Sequence, residues 1–119
     1  MRAIIVDDHE SYRAAARVLL ELEGIEVVGE AGGGVEALAL ARDLRPELVL
    51  LDVHLGDMSG IEVAAQLTAA QPAIAVVLIS NRDVRDVSDR LRRSGARGFI
   101  PKEALSAEAL HGVLDGSWR

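Results

Sequence analysis

The chain has 119 residues, half of them hydrophobic, which suits one compact domain with a sizeable core. Aromatics make up only 3%, so that core is Leu, Ile, Val and Ala, and the absence of Cys excludes disulfides, thiol catalysis and Cys-ligated zinc. A net charge of −6 does not imply a basic face for a phosphate backbone, and no apolar run approaches the ~18–20 residues of a membrane span. These features suit a cytoplasmic protein with no membrane contact.

Ala3–Val6 is a short apolar run ending in Asp7-Asp8; it predicts a buried first strand and is too short for a signal-peptide core. Tyr12, Ala15, Ala16, Leu19, Leu20 and Leu22 recur at helical spacing, with Gly24 as the stop. Ile25–Val28 predicts a second strand, followed by the stretch Gly29-Glu30-Ala31-Gly32-Gly33-Gly34, and Val35–Leu44 a second helix ended by Pro46. In Leu48–Asp52 four apolar residues run without interruption into a carboxylate, the pattern of a strand buried on both faces. A polar, glycine-bearing loop follows, then a third helix over Ile61–Ala70, closed off before Pro72. Ala73–Ile79 is the most apolar strand and ends in Ser80-Asn81. Val84, Val87 and Leu91 mark a fourth helix stopped by Gly95. Gly98–Ile100 is a short last strand followed by Pro101-Lys102, and Leu105, Leu110, Val113 and Leu114 mark a final helix.

Strand then helix, five times, predicts an α/β fold: a doubly wound (βα)5 parallel sheet with helices on both faces and right-handed crossovers. No repeat or internal linker divides it. In such sheets ligands bind off the C-terminal strand tips. The first tip carries Asp7 and Asp8, the third Asp52, the fourth Ser80 and Asn81, and Lys102 lies just past the fifth; the second ends in glycines with only Glu30 nearby. Each residue alone is an ordinary turn or surface residue, and their joint placement is what points to a site. Three carboxylates held close repel one another and call for a cation, and an oxygen donor set suits Mg²⁺ or Mn²⁺. Magnesium pairs with phosphoryl chemistry: Asp52 can act as the nucleophile, while the metal, Lys102 and the Ser80 hydroxyl each hold one phosphoryl oxygen.

The stretches IIVDDH (4–9), LLDVHLGDMSGIE (50–62), LIS (78–80) and GFIPK (98–102) together resemble the receiver domain of two-component response regulators over essentially the whole chain. Residues 7–38 look like the NarL/LuxR-type subfamily, which carries a C-terminal helix-turn-helix. The resemblance implies the flavodoxin-like strand order 2-1-3-4-5. It implies that Asp52 accepts phosphate from a sensor histidine kinase, that Asp8, Asp52 and the backbone carbonyl of His54 ligate Mg²⁺ with Asp7 acting through water, and that Ser80 and Lys102 hold phosphoryl oxygens. Phe99 matches an aromatic that moves inward as Ser80 is drawn to the phosphate, which biases the helix 4–strand 5–helix 5 surface and can produce a homodimer. By the same resemblance the chain is a regulator, enzymatic only toward its own phosphate. Residues 1–116 form the receiver, and 117–119, with Trp118, begin a linker to an output domain outside the chain, through which alone DNA is reached. Three positions depart from the family pattern: Gly56 stands where Pro is usual, Asn81 where a small residue is usual, and Pro101 precedes Lys102 where many receivers have Lys followed by a cis Pro. The resemblance implies that His54 and Arg82 flank the route of attacking water, while the Asn81 amide can crowd the phosphoryl group or donate a hydrogen bond to it; the three are expected to set the phosphate lifetime.

Other classes fit less well. An aspartate-nucleophile phosphatase wants a second Asp two residues after the first, where His54 stands, and an FMN carrier wants a hydroxyl-rich loop where Asp7-Asp8 would repel phosphate. A docking module without chemistry has no use for the intact acidic set. Gly32-Gly33-Gly34 lacks the Lys-Ser/Thr of a P-loop and reads as a flexible turn. His9 begins helix one and forms no metal site with His111. Arg82, Arg85, Arg90, Arg92 and Arg93, interleaved with Asp83, Asp86 and Asp89, form a solvated face that can double as an interface.

Overall fold

In the computed structural model, which describes residues 1–81 and 88–116, the five apolar runs form one parallel sheet of order β2-β1-β3-β4-β5. The strands are β1 (Arg2–Val6), β2 (Glu26–Ala31), β3 (Leu48–Asp52), β4 (Ala75–Ser80) and β5 (Gly98–Pro101). The helices are α1 (Glu10–Leu22), α2 (Gly34–Leu44), α3 (Gly60–Ala70), α4 (Ser88–Arg93) and α5 (Ala107–Asp115), with a 3-10 turn at Lys102–Ala104. Arg82, Val84, Val87 and Trp118, on which expectations were placed, lie outside the described residues.

The strands are continuously apolar because both sheet faces are covered. Ile4, Val6, Val49, Leu51, Val76 and Leu78 pack with Ala37 and Ala41 of α2, Ala64 and Leu67 of α3 and Leu91 of α4. Their neighbours Ala3, Ile5, Leu48, Leu50, Val77 and Ile79 pack on the other face with Ala16 and Leu20 of α1 and Leu110 of α5. Each fully buried Leu, Ile or Val contributes ~1.5–3 kcal/mol, which anchors the strand tips. Ser59 and Ser106 cap α3 and α5, each accepting a backbone N–H. Gly24 and Gly95, at φ of +78° and +88°, follow the ends of α1 and α4, as their positions predict.

The second strand runs three residues further than its apolar stretch. The register of β1 against β2 slips between Ala3 and Ile4, so Ile4, Ile5 and Val6 pair with Gly29, Glu30 and Ala31. Backbone pairing therefore extends β2 where side-chain pattern alone ends it at Val28. Gly29 leaves room for α2, since a Cβ there would lie 3.1 Å from Leu44 Cδ1. The fourth strand starts at Ala75 rather than Ala73, because Ile74 N–H closes a turn onto the Gln71 carbonyl.

Candidate functional site

Parallel pairing brings the strand tips to one edge. Asp52 pairs with Ile79, Ser80 with Pro101, and Asp7, just past β1, donates its N–H to the Ala31 carbonyl at 3.0 Å. Asp7, Asp52 and Ser80 are buried, and the Lys102 side chain is only 10% exposed, whereas Asp8 sits at the rim. Lys102 enters from the 3-10 turn after β5. Its Nζ donates to Asp52 Oδ2 at 3.3 Å and lies 2.5 Å from Asp7 Oδ2. The His54 N–H donates to Asp52 Oδ1 at 3.1 Å.

Burial raises the Asp52 pKa and the Asp7 charge adds to the rise; the His54 N–H and Lys102 offset only part of it. Burial by itself would lower the Lys102 pKa, but Asp7 and Asp52 outweigh it, so the net shift is upward and the ammonium persists. At an effective dielectric of about 20, unit charges ~4 Å apart interact by ~4 kcal/mol, so the buried carboxylates need the positive charge beside them.

The chain leaves Asp52, loops out and returns against it. His54 bridges to Ser59, and Gly60 N–H donates to the Val53 carbonyl at 2.8 Å. A Cβ on Gly60 would stand 2.0 Å from the Asp52 carbonyl oxygen, so only glycine permits this return. Gly56, the departure from the family pattern, is exposed and a Cβ there would meet nothing within 4 Å. The loop is pinned instead by Asp57, which accepts the N–H groups of Gly34 (2.8 Å) and Val35 (3.1 Å). Those N–H groups hold its carboxyl below the ordinary range.

Asp57 also explains the glycine run. A Cβ on Gly33 would lie 3.1 Å from the Asp57 carboxylate, and one on Gly34 would lie 2.2 Å from Met58 Cγ. The run is a seat for this loop rather than the flexible turn expected, and the N-terminus of α2 already holds an anion of the chain's own.

Two further contacts escaped the sequence pattern. Arg13 donates through Nη1 to the Asp7 carbonyl at 2.6 Å and through Nε to Glu30 at 3.1 Å, while Arg17 Nε reaches the second Glu30 oxygen at 2.8 Å. Glu30 thus belongs to a buttress behind the Asp7 backbone. The Arg17 hydrogen bond lowers its pKa most; burial opposes it, and Arg13 adds to the lowering, so the net shift is downward. His9 does precede α1 as its N-cap, but its ring turns back, with Nδ1 3.2 Å from Asp7 Oδ1 and 2.9 Å from Asp8 Oδ1. The only signal for the His9 contact was adjacency to the acidic pair.

Potential ligand atoms of Asp7, Asp8, His9 and Asp52 lie within 4.8 Å of one another. Among the described residues Asp7 Oδ2 is buried without a hydrogen-bond partner apart from its close ion pair with Lys102. One ammonium against three carboxylates leaves excess negative charge on hard oxygen donors, which fits Mg²⁺ or Mn²⁺. A cleft of about 510 Å³ opens beside the cluster, lined by Asp8, Val53, His54, Leu55, Gly56, Ser59, Ile61 and Arg90. A larger cleft of about 890 Å³ lies at the opposite edge, near Met1, Pro46, Pro72 and His111. None of the buried polar residues described, Asp7, Asp52, Ser80 and Ser94, lines it. Of the remaining expected residues, Asn81 and His54 are exposed, and Phe99 is half-buried against the core on the α2–α4 face. All peptide bonds among the described residues are trans, including those around Pro101 and Lys102.

Residues 3–115 match the family described as the response regulator receiver domain. The chain is 35% identical to the response regulator GacA of Pseudomonas aeruginosa over 95% of its own length and 53% of that protein. It is 36% identical to the virulence transcription regulator BvgA of Bordetella pertussis over 98% of its length and 54% of that protein. It therefore spans about half the length of these curated relatives. The signal receiver domain of the response regulator NarL from Mycobacterium tuberculosis superposes with a TM-score of 0.86 at 35% identity, covering 96% of this chain and 93% of that one. A LuxR-family two-component response regulator from Aurantimonas superposes at 0.88 with 26% identity, covering 99% of this chain and 88% of that one. With its 2-1-3-4-5 sheet and its acidic strand-tip cluster, the chain belongs to the response regulator receiver family of two-component signalling.

Proposed function

We propose that this domain is a phosphorylation switch in which Asp52 takes a phosphoryl group from the phosphohistidine of a sensor kinase. The observation that carries the reading is the buried Asp52 carboxylate at the tip of β3, hydrogen-bonded to Lys102 and the His54 N–H and edged by the acidic cluster. An Asp52 oxygen attacks phosphorus, the O–P bond forms as the donor N–P bond breaks, and the departing imidazole nitrogen keeps the electron pair. Lys102 passes from Asp7 to a phosphoryl oxygen and the Ser80 hydroxyl donates to another. Asp8, Asp52 and the His54 carbonyl, with Asp7 through water, would hold Mg²⁺, whose charge would neutralise the phosphoryl oxygens.

Movement of Ser80 toward the phosphoryl group would be relayed across the β4–β5 pair, where Leu78 lies opposite Phe99, to the α4–β5–α5 surface. His54, Asn81 and Arg82 set how fast water attacks the acyl phosphate and releases inorganic phosphate. GacA and BvgA are regulators about twice as long, which supports an output segment beside the receiver; in our reading that segment is a LuxR-type DNA-binding domain controlled in the cytoplasm, with a homodimer as one route. Incubation with acetyl phosphate and Mg²⁺ followed by intact mass is expected to give one phosphoryl adduct, absent from Asp52→Asn. If the wild type takes no phosphate from either this donor or a phosphorylated kinase, the domain acts by docking alone.

A further inference from the structure

Lys102 is the only lysine of the chain and Tyr12 the only tyrosine, and the fold stacks them: the Lys102 ammonium lies 4.7 Å from the centroid of the Tyr12 ring. Tyr12 stands in the first turn of α1, partly buried against the core that α1 shares with α5. Lys102 thus has Asp7 and Asp52 as its anions and an aromatic face as its third neighbour.

The Tyr12 hydroxyl is enclosed and has no hydrogen-bond partner among the described residues. Its phenol is pushed up to about 12, first by burial and then by the charges of Asp7 and Asp52, so it stays neutral and its ring remains an ordinary π face. An unsatisfied buried hydroxyl is costly. Leucine, used at Leu19, Leu20 and Leu22 of the same helix, would serve the apolar pattern without that cost. Packing alone therefore does not call for an aromatic ring at this position; the contact with the ammonium does.

We propose that Tyr12 is a positioning residue for Lys102. Its ring seats the ammonium, shields that face of it from water, and keeps Nζ within reach of Asp52 when it leaves Asp7. The catalytic half of this inference rests on the phosphoacceptor reading; the seat itself is a property of the protein without metal or phosphate.

The test compares Tyr12→Phe and Tyr12→Leu in the whole chain. With a single lysine, the ε-methylene protons give one unambiguous NMR signal, read without Mg²⁺ or phosphodonor. The seat predicts an upfield ring-current shift in the wild type that Tyr12→Phe retains and Tyr12→Leu loses. With acetyl phosphate and Mg²⁺, Tyr12→Leu is expected to slow phosphorylation about fivefold to thirtyfold, the equivalent of one cation–π contact, while Tyr12→Phe stays close to the wild-type rate. An ε-methylene signal at the random-coil position in the wild type overturns the proposal. So does a Tyr12→Phe variant as slow as Tyr12→Leu, which would assign the effect to the hydroxyl. If the wild type takes no phosphate at all, the phosphoacceptor reading fails, and the ring-current shift still decides the seat.

Discussion

Replacing Gly60 with alanine puts a methyl group 2.0 Å from the carbonyl oxygen of Asp52 and 2.8 Å from Val53 Cα. Both obstacles are backbone, held by the β3–β4 ladder and by the Gly60–Val53 hydrogen bond, so neither can turn aside as a side chain would. Overpacking of a core side chain typically costs 1–3 kcal/mol, and a collision with fixed backbone belongs at or above the top of that range, ~3 kcal/mol. For a domain of this size that is a fall in Tm of about 10–15 °C. Two companion variants calibrate the result. Gly34→Ala meets Met58 Cγ at 2.2 Å, the middle of a flexible side chain, and is expected to cost less. Gly56→Ala meets nothing within 4 Å and is expected to be neutral or to gain ~0.4–1 kcal/mol from the unfolded chain. Thermal unfolding followed by circular dichroism gives the order directly. If Gly60→Ala melts with Gly56→Ala, the return of the loop against Asp52 is not as described, and the placement of Asp52 loses its support.

Because folding raises the Asp52 pKa, its contribution to stability is full below the unfolded pKa and is lost as pH rises through the folded value; Asp52→Asn should therefore be more stable than wild type at pH 7, on the order of 1 kcal/mol, with the two converging in acid by urea titration. Glu30 has the opposite sign: its contribution is present above the unfolded pKa of about 4.3 and is lost as pH falls through the depressed folded value. Glu30→Gln should cost about 0.5–1 kcal/mol at pH 7 and nothing once wild-type Glu30 is protonated. Mg²⁺ at about a hundredfold its dissociation constant should stabilise the wild type by ~2.7 kcal/mol, reversed by chelation and much reduced in Asp8→Asn, as read by thermal shift.

The positions of Asp52, Asp7, Ser80 and Lys102 were legible because four apolar runs each end in, or just before, a polar group and strict βα alternation puts those ends on one edge. Contacts across the fold were not. Glu30 looked like a lone strand-end carboxylate; only the slip between Ala3 and Ile4 carries β2 past it and sets its side chain against Arg13 and Arg17. The glycine run announced a backbone requirement without naming the atoms it makes room for, and those belong to Asp57 and Met58, more than twenty residues away. His9 and Tyr12 were read as helix positions because sequence spacing says which face a residue takes and not which neighbour its side chain meets across the sheet edge. Gly56 drew attention as a departure from the family pattern, yet the loop is governed by Gly60 and Asp57 on either side of Met58 and Ser59.

Asp52, as the proposed phosphoacceptor, leaves a chemical record that can be read at a single residue. Reduction of the acyl phosphate with borohydride converts the modified aspartate to homoserine, whose position peptide sequencing by mass spectrometry reads directly. After treatment with acetyl phosphate and Mg²⁺, homoserine is expected at residue 52 and nowhere else in the chain. Homoserine at Asp7 or Asp8, or an unmodified residue 52 in a chain that carries phosphate elsewhere, would contradict the account.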